Sequence, residues 1–476
     1  MRVPTCYLEG MKTSTTWFPK LLFLALFVTV LGIALPGGSA TKAVAEEDPG
    51  GNAGGNPDEE GGEDIADVFG GETTFTPAQV DTAIKKGLSW LMKKQGRDGS
   101  WGEIEGDTFY GGGTDDGQRR GYGHPAGVTS LAIYTLLKCK IPDKHESVKN
   151  GFKFIKDNRH DEPRGCYETS MLLLALTATA DPYKTSKAST KAEADDRIKM
   201  KGNYKSWATK LVKHLQEQRF AGAKGWRYHI NDTPQPGGPE DLSSTQLAAL
   251  ALFAANRAAI RADKDTWEDI LSFSMSQQAA DGPESGIMDP ENRSQKYKAR
   301  SRGFSYIKAD AEAQHNLPSG SMTACALANI EMARYVLRSG RGGREGWDKR
   351  PDAADVQAAL YDGLAWLNTN WSAFTNPQPG VPHDQGGYHI YYLYAIERAM
   401  DLFGLRQIDS HSWYSEMGQE LLNRQYDDGH WETGSTHKPK DVLDTCFALL
   451  FLKRATGGSI AFPSFTNGGG PAADNR

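Results

Sequence analysis

Four carboxylates stand where long apolar runs begin, and their placement invites two kinds of chemistry. Glu168 opens Glu168-Thr169-Ser170-Met171-Leu172, Asp241 precedes LSSTQLAALALFAA, and Asp441 and Asp444 precede FALLFL. A carboxyl held among apolar or acidic neighbours keeps its proton and can protonate a double bond. Two carboxyls about 6.5–9.5 Å apart around a water are the equipment of inverting glycoside hydrolysis. The same residues have a plainer use. A carboxylate at a helix N-terminus accepts free backbone N–H bonds and opposes the helix dipole. Capping is the stronger reading for Asp241 and Asp441. Asp444, one step inside its helix, is the most site-like acid, and Glu168 holds the matching place in an earlier segment. Trp226, Tyr228, Tyr388, Tyr391, Tyr392 and Trp431 would stack on sugar rings or line an apolar pocket, with core packing as the alternative. His389 joins them as a ligand-binding candidate. The late histidines His383, His389, His411, His430 and His437 show no metal-ligand spacing, so no metal and no cofactor is expected.

The elements that must position these groups recur along the chain. Five segments align on a shared threonine (Thr129, Thr169, Thr245, Thr323 and Thr445), and each continues as a nearly all-apolar run. A helix apolar on nearly every side is one buried on nearly every side. A sixth segment, Gly386–Met400, fits the same place with His389 where the others carry threonine. Between them lie amphipathic helices expected at Val80–Lys94, Glu146–Asp157, Tyr204–Gln218, Thr266–Gln278, Ala354–Asn370 and Trp413–Gln425. Six buried helices alternating with six amphipathic ones predict an all-α fold, an α/α6 toroid of six hairpins spanning residues 76–456. Glu103–Gly123, Asp181–Gly202 and Asp281–Pro318 read as insertions. The openings of the buried helices also bring His124 and Asp384 to one mouth of such a ring.

Outside this body the chain has a different character. Leu21–Leu35 is an uncharged apolar run preceded by Arg2, Lys12 and Lys20 and followed by Gly38-Ser39-Ala40. That arrangement reads as a secretory signal over residues 1–40, or as an uncleaved signal anchor, so export is expected, with membrane contact only in the second case. Residues 41–75 are rich in Gly, Glu and Asp and read as a flexible acidic linker; residues 457–476 read as a flexible tail. The 476 residues carry 54 Lys and Arg against 60 Asp and Glu, a net charge of -6, which argues against nucleic acid as the partner. No protein partner is readable. Cys139, Cys166, Cys325 and Cys446 have no close pairing and read as small buried hydrophobes.

Two helix ends share one signature. Gln95-Gly96-Arg97-Asp98-Gly99-Ser100-Trp101 follows the first amphipathic helix and Gln425-Tyr426-Asp427-Asp428-Gly429-His430-Trp431 follows the last, with weaker forms at Gln218 with Gly225-Trp226 and at Gln278 with Asp281-Gly282. Glycine in these turns reads as a left-handed helix stop. With Asp441-Val442-Leu443-Asp444-Thr445-Cys446-Phe447 opening the last buried helix, the chain resembles the prenyltransferase and squalene/oxidosqualene cyclase repeat superfamily over about residues 78–455. The resemblance implies a toroid with a central cavity and an apolar or isoprenoid ligand. It implies class II cyclisation less directly, because Leu443 holds the place of the proton-donating acid in the D-x-D-D-T motif. Protein prenyltransferase β-subunits hold zinc with Asp, Cys and His, and here only Asp444 falls at a matching position. Gly165-Cys166-Tyr167-Glu168 lacks the glycine and glutamine of complement-type thioester segments. Three readings follow: an exported, terpenoid-cyclase-like protein with an apolar ligand, a carbohydrate-active α/α6 hydrolase or lyase, and a non-catalytic interaction scaffold.

Overall fold

A computed structural model describes residues 74–101, 125–158, 163, 165–180, 200–219, 222–228, 240–290, 295–307, 317–339, 343–381, 387–433 and 440–454. The signal, almost all of the acidic linker, the C-terminal tail, His124, His383, Asp384 and His437 lie outside the described residues. Thirteen helices and one hairpin are present among those described. The apolar segments form α2 (Pro125–Lys138), α4 (Cys166–Ala178), α6 (Leu242–Arg257), α8 (Gly320–Arg338), α11 (His389–Phe403) and α13 (Lys440–Leu452). The amphipathic segments form α1 (Pro77–Lys93), α3 (Glu146–Asp157), α5 (Gly202–Glu217), α7 (Lys264–Ser276), α10 (Ala353–Thr369) and α12 (Trp413–Arg424). A short helix, α9 (Gly343–Asp348), follows α8.

Local chemistry sets the ends of these helices. Thr76 and Gln79 form a reciprocal cap at the start of α1, Gln79 N–H donating to Thr76 Oγ1 at 3.3 Å and Thr76 N–H donating to Gln79 Oε1 at 2.7 Å, with Pro77 at the first helical position. Phe75, just before this cap, is buried edge-on against Tyr414, so the packed body reaches back into the stretch whose composition reads as linker. The apolar helices are buried all round: α8 has no solvent face from Gly320 to Arg334. The amphipathic α3 buries only one side, with Val148, Gly151, Phe152 and Ile155 inward.

The packing of the apolar helices runs in a cycle. Helix α2 packs on α4, α4 on α6, α6 on α8, α8 on α11, α11 on α13, and α13 returns to α2. The amphipathic helices pack outside: α3 on α2, α5 on α4, α7 and α10 on α8, α12 on α11 and α1 on α13. The insertion after α7 contains an antiparallel hairpin, β1 (Glu284–Met288) and β2 (Lys296–Arg300), paired from Glu284 with Arg300 to Met288 with Lys296 and packed on α10. Its strands bury only Ile287 and Ala299, too weak an alternation to stand out in the sequence.

The shared threonine acquires a physical role. Thr129, Thr245, Thr323 and Thr445 each accept, through Oγ1, the backbone N–H of Trp101, Trp226, Phe304 and Trp431 at 3.0 Å. The three indoles then donate to the last turn of the preceding outer helix: Trp101 to Leu91, Trp226 to Leu215 and Trp431 to Leu421, at 2.7–2.8 Å. Each turn thereby ties an outer helix to the inner helix that follows it. The glutamines bridge hairpins. Gln95 Nε2 donates to Gly99 O and Ser147 O, both at 2.9 Å, and Gln425 Nε2 donates to Gly429 O at 2.8 Å and to Ala83 O at 2.9 Å. The glycines are not helix caps, because α1 ends at Lys93 and α12 at Arg424. They sit at the tip of the following turn, at φ +94° for Gly99 and +106° for Gly429. A Cβ there would lie 2.4 Å from Asn150 O or 2.6 Å from Lys86 O, so only glycine fits both the conformation and the approach. Thr129→Val should cost about 1–2 kcal/mol by stranding the buried Trp101 N–H. Chemical denaturation of the variant checks this, and an unchanged midpoint would remove the threonine from the hairpin tie.

Candidate functional site

One connected cluster draws a side chain from each of the six cycling helices. Tyr167 of α4 shares a hydrogen bond with Ser243 of α6 at 2.7 Å, and Ser243 reaches Tyr391 of α11 at 3.5 Å. The Tyr391 hydroxyl also lies 3.3 Å from Cys325 Sγ of α8. Phe447 of α13 packs edge-on against Tyr391 at 5.6 Å and stacks on Tyr394 of α11 at 5.4 Å. The hydroxyl of Tyr134 of α2 lies within hydrogen-bonding reach of Tyr394. Arg398, one turn beyond Tyr394, lies over its ring at 4.0 Å and over Tyr391 at 5.7 Å. The cluster thus links the six helices of the packing cycle, and it is called axial below. Burial raises the pKa values of Tyr134, Tyr167, Tyr391 and Tyr394, which keeps these phenols neutral hydrogen-bonding groups.

A second group joins this cluster through Tyr167, which stacks on Tyr228 with centroids 5.6 Å apart. The Tyr228 and Tyr306 hydroxyls share a short hydrogen bond, and Arg227 covers both rings at 4.8 and 5.9 Å. Arg227 also pairs with Asp241 at 3.3 Å, and the Tyr306 hydroxyl lies beside the same carboxyl. Asp241 is fully buried at the start of α6, where it accepts from Ser244 N–H at 2.7 Å and Ser244 Oγ at 2.8 Å. Burial pushes its pKa up to about 6, against the pull of Ser244, Arg227 and Tyr306 toward the charged form.

The other three carboxylates each hold a partner near a helix start. Glu168 Oε2 accepts Gly165 N–H at 3.3 Å in the first turn of α4. Asp441 accepts Val442 N–H at 2.8 Å and pairs with Lys94 of α1 at 2.9 Å. Asp444 holds the loop before α13, accepting Thr433 N–H at 2.7 Å and Thr433 Oγ1 at 2.8 Å. Trp226 and Trp431 are the buried tie residues described above. His389 Nε2 meets Ala373 O at 2.8 Å in a buried setting that pushes its pKa down to about 4, so the ring is neutral. Tyr392 is fully buried and its hydroxyl has no hydrogen-bond partner. Tyr388, before α11, is half-exposed with φ +61°. Of the six aromatic candidates named from sequence, Tyr228 and Tyr391 enter the axial assembly.

Sequence reasoning missed Tyr134, Tyr167, Tyr306, Cys325, Tyr394 and Arg398 as site residues. One signal for Arg398 was present: it lies in a run read as buried all round, where a charge has no solvent face. Among the described residues no group of three or more His, Cys, Asp or Glu is placed to hold a metal ion, and no helix is long and apolar enough to cross a membrane. The four described cysteines are buried and form no disulfide.

No family model matches the chain, and no curated protein does. Among solved structures the chain is similar to a type II terpene cyclase from Scytonema, with 10% identity over 81% of this chain and all of that one, at a TM-score of 0.41. A possible member of the GH105 family from Salmonella enterica matches with 11% identity over 81% of this chain and 96% of that one, TM-score 0.45. A GH76 α-mannanase from Bacteroides thetaiotaomicron matches with 10% identity over 79% of this chain and 95% of that one, TM-score 0.45.

Proposed function

We propose that the six hairpins form an α/α toroid of an exported protein and that its axis is a small-molecule site for a ligand with an apolar, isoprenoid-like body. The observation that carries this reading is the axial cluster. A ring built only for stability would close on aliphatic side chains of the kind that fill the rest of these helices. Here the axis instead collects Tyr134, Tyr167, Tyr391, Tyr394 and Phe447, flat faces with hydroxyl edges that suit an apolar body and orient it by a few polar contacts. Of the four carboxylates, Asp241 is the one equipped to deliver a proton. Burial keeps a large share of it protonated near pH 6, and Tyr306 and Tyr228 lie in sequence between it and Tyr167. Asp444 and Asp441 act through Thr433 and Lys94 in this reading and position the last hairpin.

Native mass spectrometry tests the proposal with farnesol and a neutral hexasaccharide as probes. A retained farnesol mass, reduced by Tyr391→Ala, is the expected result. Retention of the oligosaccharide alone would shift the site to sugars, and a bare chain with both would leave the ring as a scaffold.

A further inference from the structure

Among the described residues Arg398 is the largest charged side chain that is fully enclosed, and no anion is paired with it. Its side chain has no solvent exposure. No Asp or Glu among the described residues forms an ion pair with it, whereas the other buried arginine among them, Arg334, pairs with Glu331, and the half-buried Arg302 and Arg219 pair with Asp362 and Asp269. Nε and Nη1 have no hydrogen-bond partner, Nη2 reaches the soft sulfur of Cys325 at 3.9 Å, and the Tyr394 hydroxyl lies close enough to act as a neutral acceptor. The flat faces of Tyr394 and Tyr391 supply the remaining attraction. A guanidinium is always charged, and holding it in a dry interior without an anion is costly. Glu397, its sequence neighbour, is buried near Tyr134 and Tyr394 too, but adjacent positions on a helix face different ways and no ion pair joins it to Arg398.

We propose that Arg398 is the binding residue for an oxyanion, a carboxylate or phosphate carried by the ligand of the axial site. The inference rests on the reading of the axis as a small-molecule site and adds the ligand's chemical class: an apolar body with one anionic end. A guanidinium offers two forked edges, Nε with Nη2 and Nη1 with Nη2, either of which matches an oxyanion's paired acceptors once Nη2 leaves its long contact with Cys325 Sγ, and the enclosed setting strengthens such a charge-assisted bond. The tyrosines around it then pack the body while Arg398 fixes its polar end and its direction along the axis.

The test uses three probes of one chain length, dodecanoate, dodecyl phosphate and dodecanol, titrated into the purified chain at pH 8 by calorimetry. The chain should hold at least one of the anions about tenfold or more tighter than dodecanol. Arg398→Met should bind anion and alcohol alike, and Arg398→Lys should keep part of the preference, since it retains charge without the planar donors. Which anion is preferred separates a carboxylate ligand from a phosphate one. Equal affinity of the unaltered chain for all three probes overturns the oxyanion assignment while leaving the axial site standing. Persistence of the preference in Arg398→Met also overturns it. Failure of every probe to bind removes the axial reading and the oxyanion with it. The comparison of anion with alcohol on the unaltered chain decides the matter even where Arg398→Met does not fold.

Discussion

Trp431→Ala should lower the unfolding free energy by about 3–5 kcal/mol, the range for deleting a large buried aromatic. The indole is fully buried and donates to Leu421 O at 2.8 Å, so its loss strands a carbonyl as well as opening a cavity. It also sits where the last hairpin meets the first. A Cβ at Gly87 of α1 would lie 2.8 Å from the indole ring, which shows how closely α1 is drawn against it. Trp431 therefore joins α12 to α13 and both to α1. Trp431→Phe keeps most of the volume and removes only the N–H donor, so its loss should be about 1–2 kcal/mol beyond the smaller packing change. Urea denaturation of the two variants side by side separates packing from hydrogen bonding. A loss under about 1 kcal/mol for the alanine variant would mean that the closing contact between first and last hairpins contributes little.

Much of the helical framework was readable because inner and outer helices obey different hydrophobic patterns. The apolar runs cannot face water anywhere, and the amphipathic ones can on one side, so the alternation itself describes two layers. Glu146–Asp157 begins and ends where its apolar spacing does. The shared threonines were visible as a repeat, but their role was not, because it depends on a backbone N–H some 14–28 residues away that no periodicity points to. The carboxylates at helix openings were equally visible, and their partners were not. Asp441 and Asp444 are alike in sequence, yet one reaches Lys94 of the first hairpin and the other the Thr433 loop. The axial residues were the least legible. Tyr134, Tyr394 and Cys325 look like ordinary core in any single helix, and they join one cluster only through the packing of helices far apart in sequence. Arg398 lies in YLYAIERAM, where a lone arginine reads as a helix residue turned to solvent unless the whole run is already known to have no solvent side.

Asp241 should make the protein less stable as pH rises from about 4 to 6.5, by about 2–3 kcal/mol relative to Asp241→Asn. The sign follows from where the proton sits. The folded carboxyl has its pKa pushed up to about 6 by burial, above its ordinary value of 3.8. Below that ordinary value both folded and unfolded chains carry the proton and no difference arises. Between the two values the folded chain keeps a proton that the unfolded chain releases, so each rise in pH favours unfolding, and the loss is complete once pH exceeds the folded value. Arg227 opposes the trend and is partly exposed, so its attraction is screened. Tyr306, Tyr167 and Cys166 also face the carboxyl, and burial raises the pKa of each, so none of them titrates in this window. Asparagine keeps an acceptor for Ser244 N–H and carries no titratable proton, which isolates the carboxyl's contribution. The measurement is the difference in unfolding free energy between the two proteins at pH 4, 5, 6 and 7. A difference that moves against the native protein as pH rises is the expected result, and it would leave Asp241 partly protonated where a proton donor is needed. A flat difference would make the carboxyl an ordinary helix cap. A difference that moves in the native protein's favour would mean that the Arg227 ion pair outweighs burial and that Asp241 is an anion in the folded state.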